Sequence, residues 1–187
     1  MIAYGRARTT GENAMTFSKI LLATDGSGNA ERALDAAIDL AKARGASLTI
    51  LHAVIQGAVP PGLLRWAEVE HLMPAEGDTE LVPNVYGPVA TLTGDRKRQM
   101  PYRVRHAVAE AVVEHARNKA VSEGVSAVDA TITDGDAAEA IAQVLADGNH
   151  DLLVLGTRGH GTLQGLLVGS VSHKVLGLHA CPVLVVP

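Results

Sequence analysis

Cysteine is nearly missing from this chain of 187 residues: Cys181 is the only one, so no intrachain disulfide can form. That usage fits a reducing cytoplasm, and beside Pro182 the thiol reads as a small buried apolar group. Aromatic residues supply 3% of the chain against a hydrophobic fraction of 47%, so the core must come from Ala, Val, Leu and Ile. No apolar run approaches the roughly 18 residues of a bilayer span. The first sixteen residues have no apolar signal core, so export is not expected. A net charge of −4 gives no general attraction to nucleic acid or to an anionic membrane.

Chemical signatures are missing too. The eight histidines show neither HxH nor HxxxH spacing and there is no CxxC, so no metal held by side chains alone is expected. There is no GxxxxGK[ST] loop and hence no Walker lysine. A Ser-Gly-Gly-x-Asp-Ser loop is absent after the first apolar run, and no nucleophile elbow occurs. Catalysis beyond weak hydrolysis of a bound ligand is not expected.

What is present is an alternation of short apolar runs with helical periods, in a length that suits one domain. The pattern predicts strands at Phe17–Thr24, Ser47–Val54, Val128–Thr133, Asp151–Gly156 and Val183–Val186. Between them, apolar residues at helical spacing run from Ala30 to Ala41, from Val104 to Ala116, from Ala140 to Leu145 and from Ser170 to about His179. Gly45, Gly124 and Gly148 read as stops, and Asp136 with Glu139 as a capping-box start. The order βαβαβαβαβ predicts an α/β fold, an open parallel sheet of five strands with helices on both faces. Ligands in such sheets sit beyond the carboxyl ends of the strands, at the switch point.

The most informative stretch is Gly156-Thr157-Arg158-Gly159, nine further residues, then Gly169-Ser170, directly after Leu152-Leu153-Val154-Leu155. A strand, a glycine-punctuated loop and a helix start make a junction suited to phosphate, because glycine permits positive φ and a close approach that a Cβ would block. The G-x2-G-x9-G-S spacing resembles the nucleotide-binding branch of the universal stress protein family. Lys19-Ile20-Leu21-Leu22-Ala23-Thr24-Asp25-Gly26-Ser27 and Ala180-Cys181-Pro182-Val183-Leu184-Val185-Val186-Pro187 agree with it. The resemblance covers about residues 17–54 and 104–187. It implies a Rossmann-like fold of the adenine nucleotide alpha hydrolase type, ATP as ligand, Mg²⁺ arriving on the phosphates, and a stress-responsive regulatory role in the cytoplasm.

On that resemblance Gly156, Thr157, Arg158, Gly159, Gly169 and Ser170 would hold the phosphates and ribose, with Val171 and Ser172 following at the helix start. Ala23, Thr24, Asp25 and Ser27 would form the opposite wall, and the backbone of Ala53 and Val54 would read the adenine edge. Read from the residues alone, Asp25 is equally a helix N-cap, with Ser27 and Asn29 as competitors. Ser170 is equally an ordinary N-cap. Arg158 is a phosphate ligand or a solvated cation, His160 faces solvent, and His52 is a packed histidine.

Two segments stand outside the pattern. Residues 1–16 read as a disordered extension, or as an over-long start upstream of Met15. Residues 55–103 are far longer than the usual connection of about 2–6 residues. They carry Pro60-Pro61, a possible short helix over 63–72 with Trp66, and basic residues from Arg96 to Arg105. They form either a lid or partner-docking insertion, or a mobile excursion. The apolar run 182–187 would be an aggregation hazard as a sheet edge. The resemblance implies that it pairs two protomers into a homodimer, the alternative being burial within one subunit.

Overall fold

A computed structural model describes residues 16–54, 102–159 and 168–187, with the side chains of Arg103 and Val104 excepted. The N-terminal extension, nearly all of the 55–103 insertion and His160 lie outside the described residues. Five strands form one parallel sheet: β1 (Lys19–Ala23), β2 (Ser47–Val54), β3 (Val128–Asp134), β4 (Leu152–Gly156) and β5 (Val183–Val186). Their spatial order is β3-β2-β1-β4-β5. Among the described residues the helices are α1 (Gly28–Arg44), α2 (Tyr102–Ser122), α3 (Ala137–Gly148) and α4 (Ser170–Leu176). The expected α/β class and the Rossmann-like sheet are therefore what the chain forms.

The period of two along each central strand divides the core into two layers. Ile20 and Leu22 of β1, Leu48 and Ile50 of β2, and Leu152 and Val154 of β4 pack with Leu34 and Ile38 of α1 and Val113 of α2. Leu21, Leu51, Leu153 and Leu155 face the other way, onto Ile141 and Leu145 of α3 and Val175 of α4. Both faces are covered, which is why these strands read as continuous apolar runs.

Several boundaries differ from expectation. β1 begins at Lys19, because the backbone of Ser18 and Lys19 is stapled to Asp151 instead: Oδ2 accepts from Ser18 N at 2.8 Å and Oδ1 from Lys19 N at 3.0 Å. Asp151 is thus the staple and not the first residue of β4. Helix α4 stops at Leu176 and does not reach His179, since Gly177 N bonds Lys174 O and Leu178 N bonds Val175 O, tightening the last turn. Asn149, at φ 50°, closes α3 where Gly148 was expected to do so. Gly148 has another reason to lack a side chain: a Cβ there would lie 2.2 Å from Cε1 of the His150 ring.

Candidate functional site

The strand order sets the location. β1 lies in the middle of the sheet, β2 and β3 build to one side, and the chain then crosses to β4 and β5 on the other. The loops after β1 and β4 therefore diverge above the same pair of strands, and a crevice opens between them. Ala23 is paired with Leu155 at the last rung, so Thr24 and Asp25 face Gly156 and Thr157 across that gap.

The β1 side is a tight turn. Gly26, at φ 75°, accepts its conformation because it lacks a Cβ, and a Cβ would also lie 2.8 Å from Val112 Cγ2 on α2. Thr24 Oγ1 accepts from Gly26 N at 3.2 Å, and Asp25 Oδ1 accepts from Ser27 N at 3.0 Å. Ser27, 7% exposed, is the N-cap of α1, its hydroxyl accepting from Ala30 N. The N-cap reading of Asp25 is thereby corrected: its carboxylate shapes the turn, and Ser27 one step closer to the helix takes the cap. Ser27 Oγ also donates to Arg158 O at 3.4 Å, linking the two loops.

On the β4 side the three motif glycines are close-packed against the chain itself. A Cβ on Gly156 would meet the backbone carbon and Cβ of Asn29, both at 2.9 Å. On Gly159 it would lie 2.0 Å from Asp25 Oδ2, and on Gly169 it would lie 3.2 Å from Thr157 O. Among the described residues the positive-φ glycines are Gly26, Gly45, Gly124 and Gly135. Gly156, Gly159 and Gly169 are not among them, so at these three positions the reason for glycine is space and not the expected positive φ. Gly169 N donates to Thr157 O at 2.7 Å, tying the two ends of the loop together.

Gly169, not Ser170, occupies the N-cap of α4, and no side chain caps it. Ser170 is the exposed first helical residue and Val171 is half-buried beside it. Ser172 points inward: it is 3% exposed, and its hydroxyl donates to Gly156 O at 2.9 Å. That bond satisfies the carbonyl left unpaired where β4 ends, so Ser172 braces the loop from beneath. Arg158 and Gly159 are exposed at the rim.

The end of β2 forms the third wall. Odd-numbered residues of β2 turn their backbone groups toward β1, as Ser47 N donates to Ser18 O and Leu51 O accepts from Thr24 N. By that alternation the N–H and C=O of Ala53 face the same side, one rung above the last β1 pair. Val54 pairs with Asp134 of β3 and is buried, as is His52, whose ring lies in the packed interior. Among the described residues no group of three or more His, Cys, Asp or Glu could hold a metal.

Sequence reasoning passed over Asn29 except as a competing cap, and did not single out Arg32. Asn29 Nδ2 donates to Thr157 Oγ1 at 2.9 Å, and Arg32 Nη2 donates to Asn29 Oδ1 at 2.7 Å. The signal that was available is a polar residue in the first turn of α1, on the helix that must pass the glycine loop.

A doubly wound sheet with a turn and a glycine loop meeting at its switch point defines a class of open parallel α/β folds. The family model for the universal stress protein family matches residues 16–187, and the chain belongs to that family. Universal stress protein YxiE of Bacillus subtilis is 32% identical over 170 residues, covering 91% of this chain and 99% of its own. The universal stress protein UspA from Lactobacillus plantarum is similar in structure at a TM-score of 0.65 and 19% identity, over 93% of this chain and 100% of that one. A universal stress protein solved in complex with cAMP is similar at a TM-score of 0.57 and 23% identity, over 92% and 98% of the two chains. At such identities the structural likeness speaks for the fold. Among the described residues no helix is long and apolar enough to cross a membrane.

Proposed function

We propose that this protein binds ATP at the β1–β4 crevice and acts in the cytoplasm as a nucleotide-responsive regulatory homodimer in stress adaptation. The observation that carries the reading is the convergence of three walls on one gap: the Asp25 turn, the glycine loop, and the Ala53 backbone edge. The loop backbone of Arg158 and Gly159 would take the phosphates, with the Thr157 side chain beside them and Ser170 and Val171 at the start of α4. Helix α4 has only seven residues, so its dipole adds little and the loop backbone and Arg158 carry the electrostatics. Thr24, Asp25 and Ser27 would line the ribose side. The amide and carbonyl of Ala53 offer a donor and an acceptor to the edge of adenine, with Ala23 and Val54 packing around it. Ser172 supports this site through Gly156 and makes no outward contact of its own.

Mg²⁺ fits this site as a companion of the ligand. The Asp25 carboxylate lies against Gly159, where it would repel phosphate unless a cation stood between them. One carboxylate with phosphate oxygens is the usual Mg²⁺ arrangement. The ion would neutralise the phosphates, and Asp25 would hold it.

The homodimer would form through residues 182–187, since β5 lies at the edge of the sheet with its apolar side chains half exposed. The 55–103 insertion would serve as a docking surface for a protein partner. The family relative seen with cAMP supports an adenine nucleotide in general. Titration calorimetry with ATP and Mg²⁺ tests the reading: saturable heat is expected, reduced when Mg²⁺ is withheld. Absence of heat at millimolar ATP would sink it, and steady ADP release would make the protein a slow ATPase instead.

A further inference from the structure

The hydrogen-bond chain beneath the glycine loop has a direction. Arg32 donates through Nη2 to Asn29 and through Nε to the carbonyl of Pro187. A guanidinium can only donate, so the Asn29 atom facing it must be the carbonyl oxygen. The amide NH₂ is thereby turned to Thr157, and it too can only donate. Thr157 Oγ1 is the acceptor at 2.9 Å. The Thr157 backbone is held as well, its N–H bonding Val186 O at 2.7 Å and its C=O accepting from Gly169 N at 2.7 Å. With its lone pair engaged from below, the Thr157 hydroxyl has its hydrogen left to give, and among the described residues no acceptor takes it.

We propose that Asn29 and Arg32 are positioning residues that set the Thr157 hydroxyl as a hydrogen-bond donor toward a ligand phosphate oxygen. This rests on the nucleotide reading above and adds to it a side-chain contact whose polarity is fixed from α1. A hydroxyl donating to an anion is a charge-assisted bond, stronger than a neutral one. Because the two ends of the amide are fixed by Arg32, the donor sense survives without relying on the ligand to select it.

Reversing the amide tests the idea. In N29D the carboxylate keeps the Arg32 pair but accepts the Thr157 hydrogen, so Thr157 would present lone pairs to the phosphate. ATP affinity of N29D should fall about tenfold, the size of one lost charge-assisted bond, while adenosine affinity, without phosphates, stays within about twofold on the same scale. The added charge is separated by repeating the change in T157V, which has no hydroxyl. There N29D should weaken ATP by less than about twofold. An equal loss in both backgrounds, or no loss in the wild-type background, overturns the proposal. R32Q, at an exposed helix position, provides a second arm that leaves the glycine loop untouched. Its amide should let Asn29 turn, weakening ATP several-fold with adenosine unaffected, and unchanged ATP binding counts against the relay. Wild-type protein that binds no ATP overturns the nucleotide reading itself and this inference with it.

Discussion

Each of the three motif glycines is held to glycine by a different neighbour, and that changes what a substitution there reports. A valine at Gly169 meets Thr157 O before it meets any phosphate, so it disturbs the closure of the loop as well as the space above it. The crowding at Gly156 is against backbone of α1 and cannot relax by a side-chain rotation, whereas at Gly159 the obstacle is the carboxylate end of Asp25. At the opposite end of the sheet, His150 is wedged under α3. One ring nitrogen, Nδ1, reaches Val144 O at 3.2 Å; Nε2 reaches Thr49 Oγ1 at 3.0 Å. Burial pushes its pKa below 6.5, and Lys19 adds to that, against the opposing pulls of the Val144 carbonyl and Asp151. The unfolded state then binds the proton more readily than the folded one. The stability His150 provides is complete above pH 6.5, and it is lost as pH falls from there toward the lowered folded value. Denaturant midpoints of wild type measured from pH 8 to pH 5 should therefore drop more steeply than those of His150→Gln; parallel curves would remove the effect.

Among the elements, the N-cap of α3 is the most testable. Asp136 Oδ1 accepts from Ala138 N at 2.9 Å and Glu139 N at 3.2 Å, while Oδ2 pairs with Lys174 of α4. Lys174 and the two amides together hold its carboxyl below the usual range. Asp136→Ala should destabilise the fold through the lost cap, read as a lower urea midpoint with unchanged slope. A loss indistinguishable from zero would mean that the amides of Ala138 and Glu139 find water when the carboxylate is removed. This start was legible in the sequence, because a cap acts within three residues. So were β1, β2 and β4, whose apolar runs record burial on two faces. β3 read weakly because it is an edge strand, with Asp129 and Ala130 exposed. The early end of α4 was hidden for another reason: Leu176 and Leu178 continue an apolar pattern yet stand exposed at 45% and 41%. In the site, the motif glycines and Asp25 could be found from spacing. Asn29 showed only as a polar residue in the first turn of α1, since the partners of Asn29 and Arg32 are Thr157 and Pro187, 128 and 155 residues away.

For the whole molecule the open question is assembly along β5. Pro182 and Val186 turn their carbonyls to β4, so by alternation the backbone groups of Val183 and Val185 face outward. Val185→Pro removes one outward donor without touching the β4 ladder. Sedimentation should show the wild type as a dimer and this variant shifted to monomer, and a wild-type monomer at tens of micromolar would exclude β5 as the interface. The strand order has a temporal consequence as well. β1, β2 and β3 pair among themselves, but the gap above β1 has no second wall until β4 and the loop after it are made. Synthesis proceeds at about 5–20 residues per second, so an emerging chain can carry half a sheet for several seconds while β1 still has one bare edge. Ser18 and Asp151, 133 residues apart, close that edge. Nascent chains stopped before Asp151 should then be the form most dependent on protection by chaperones, because the centre of the sheet still lies open along β1.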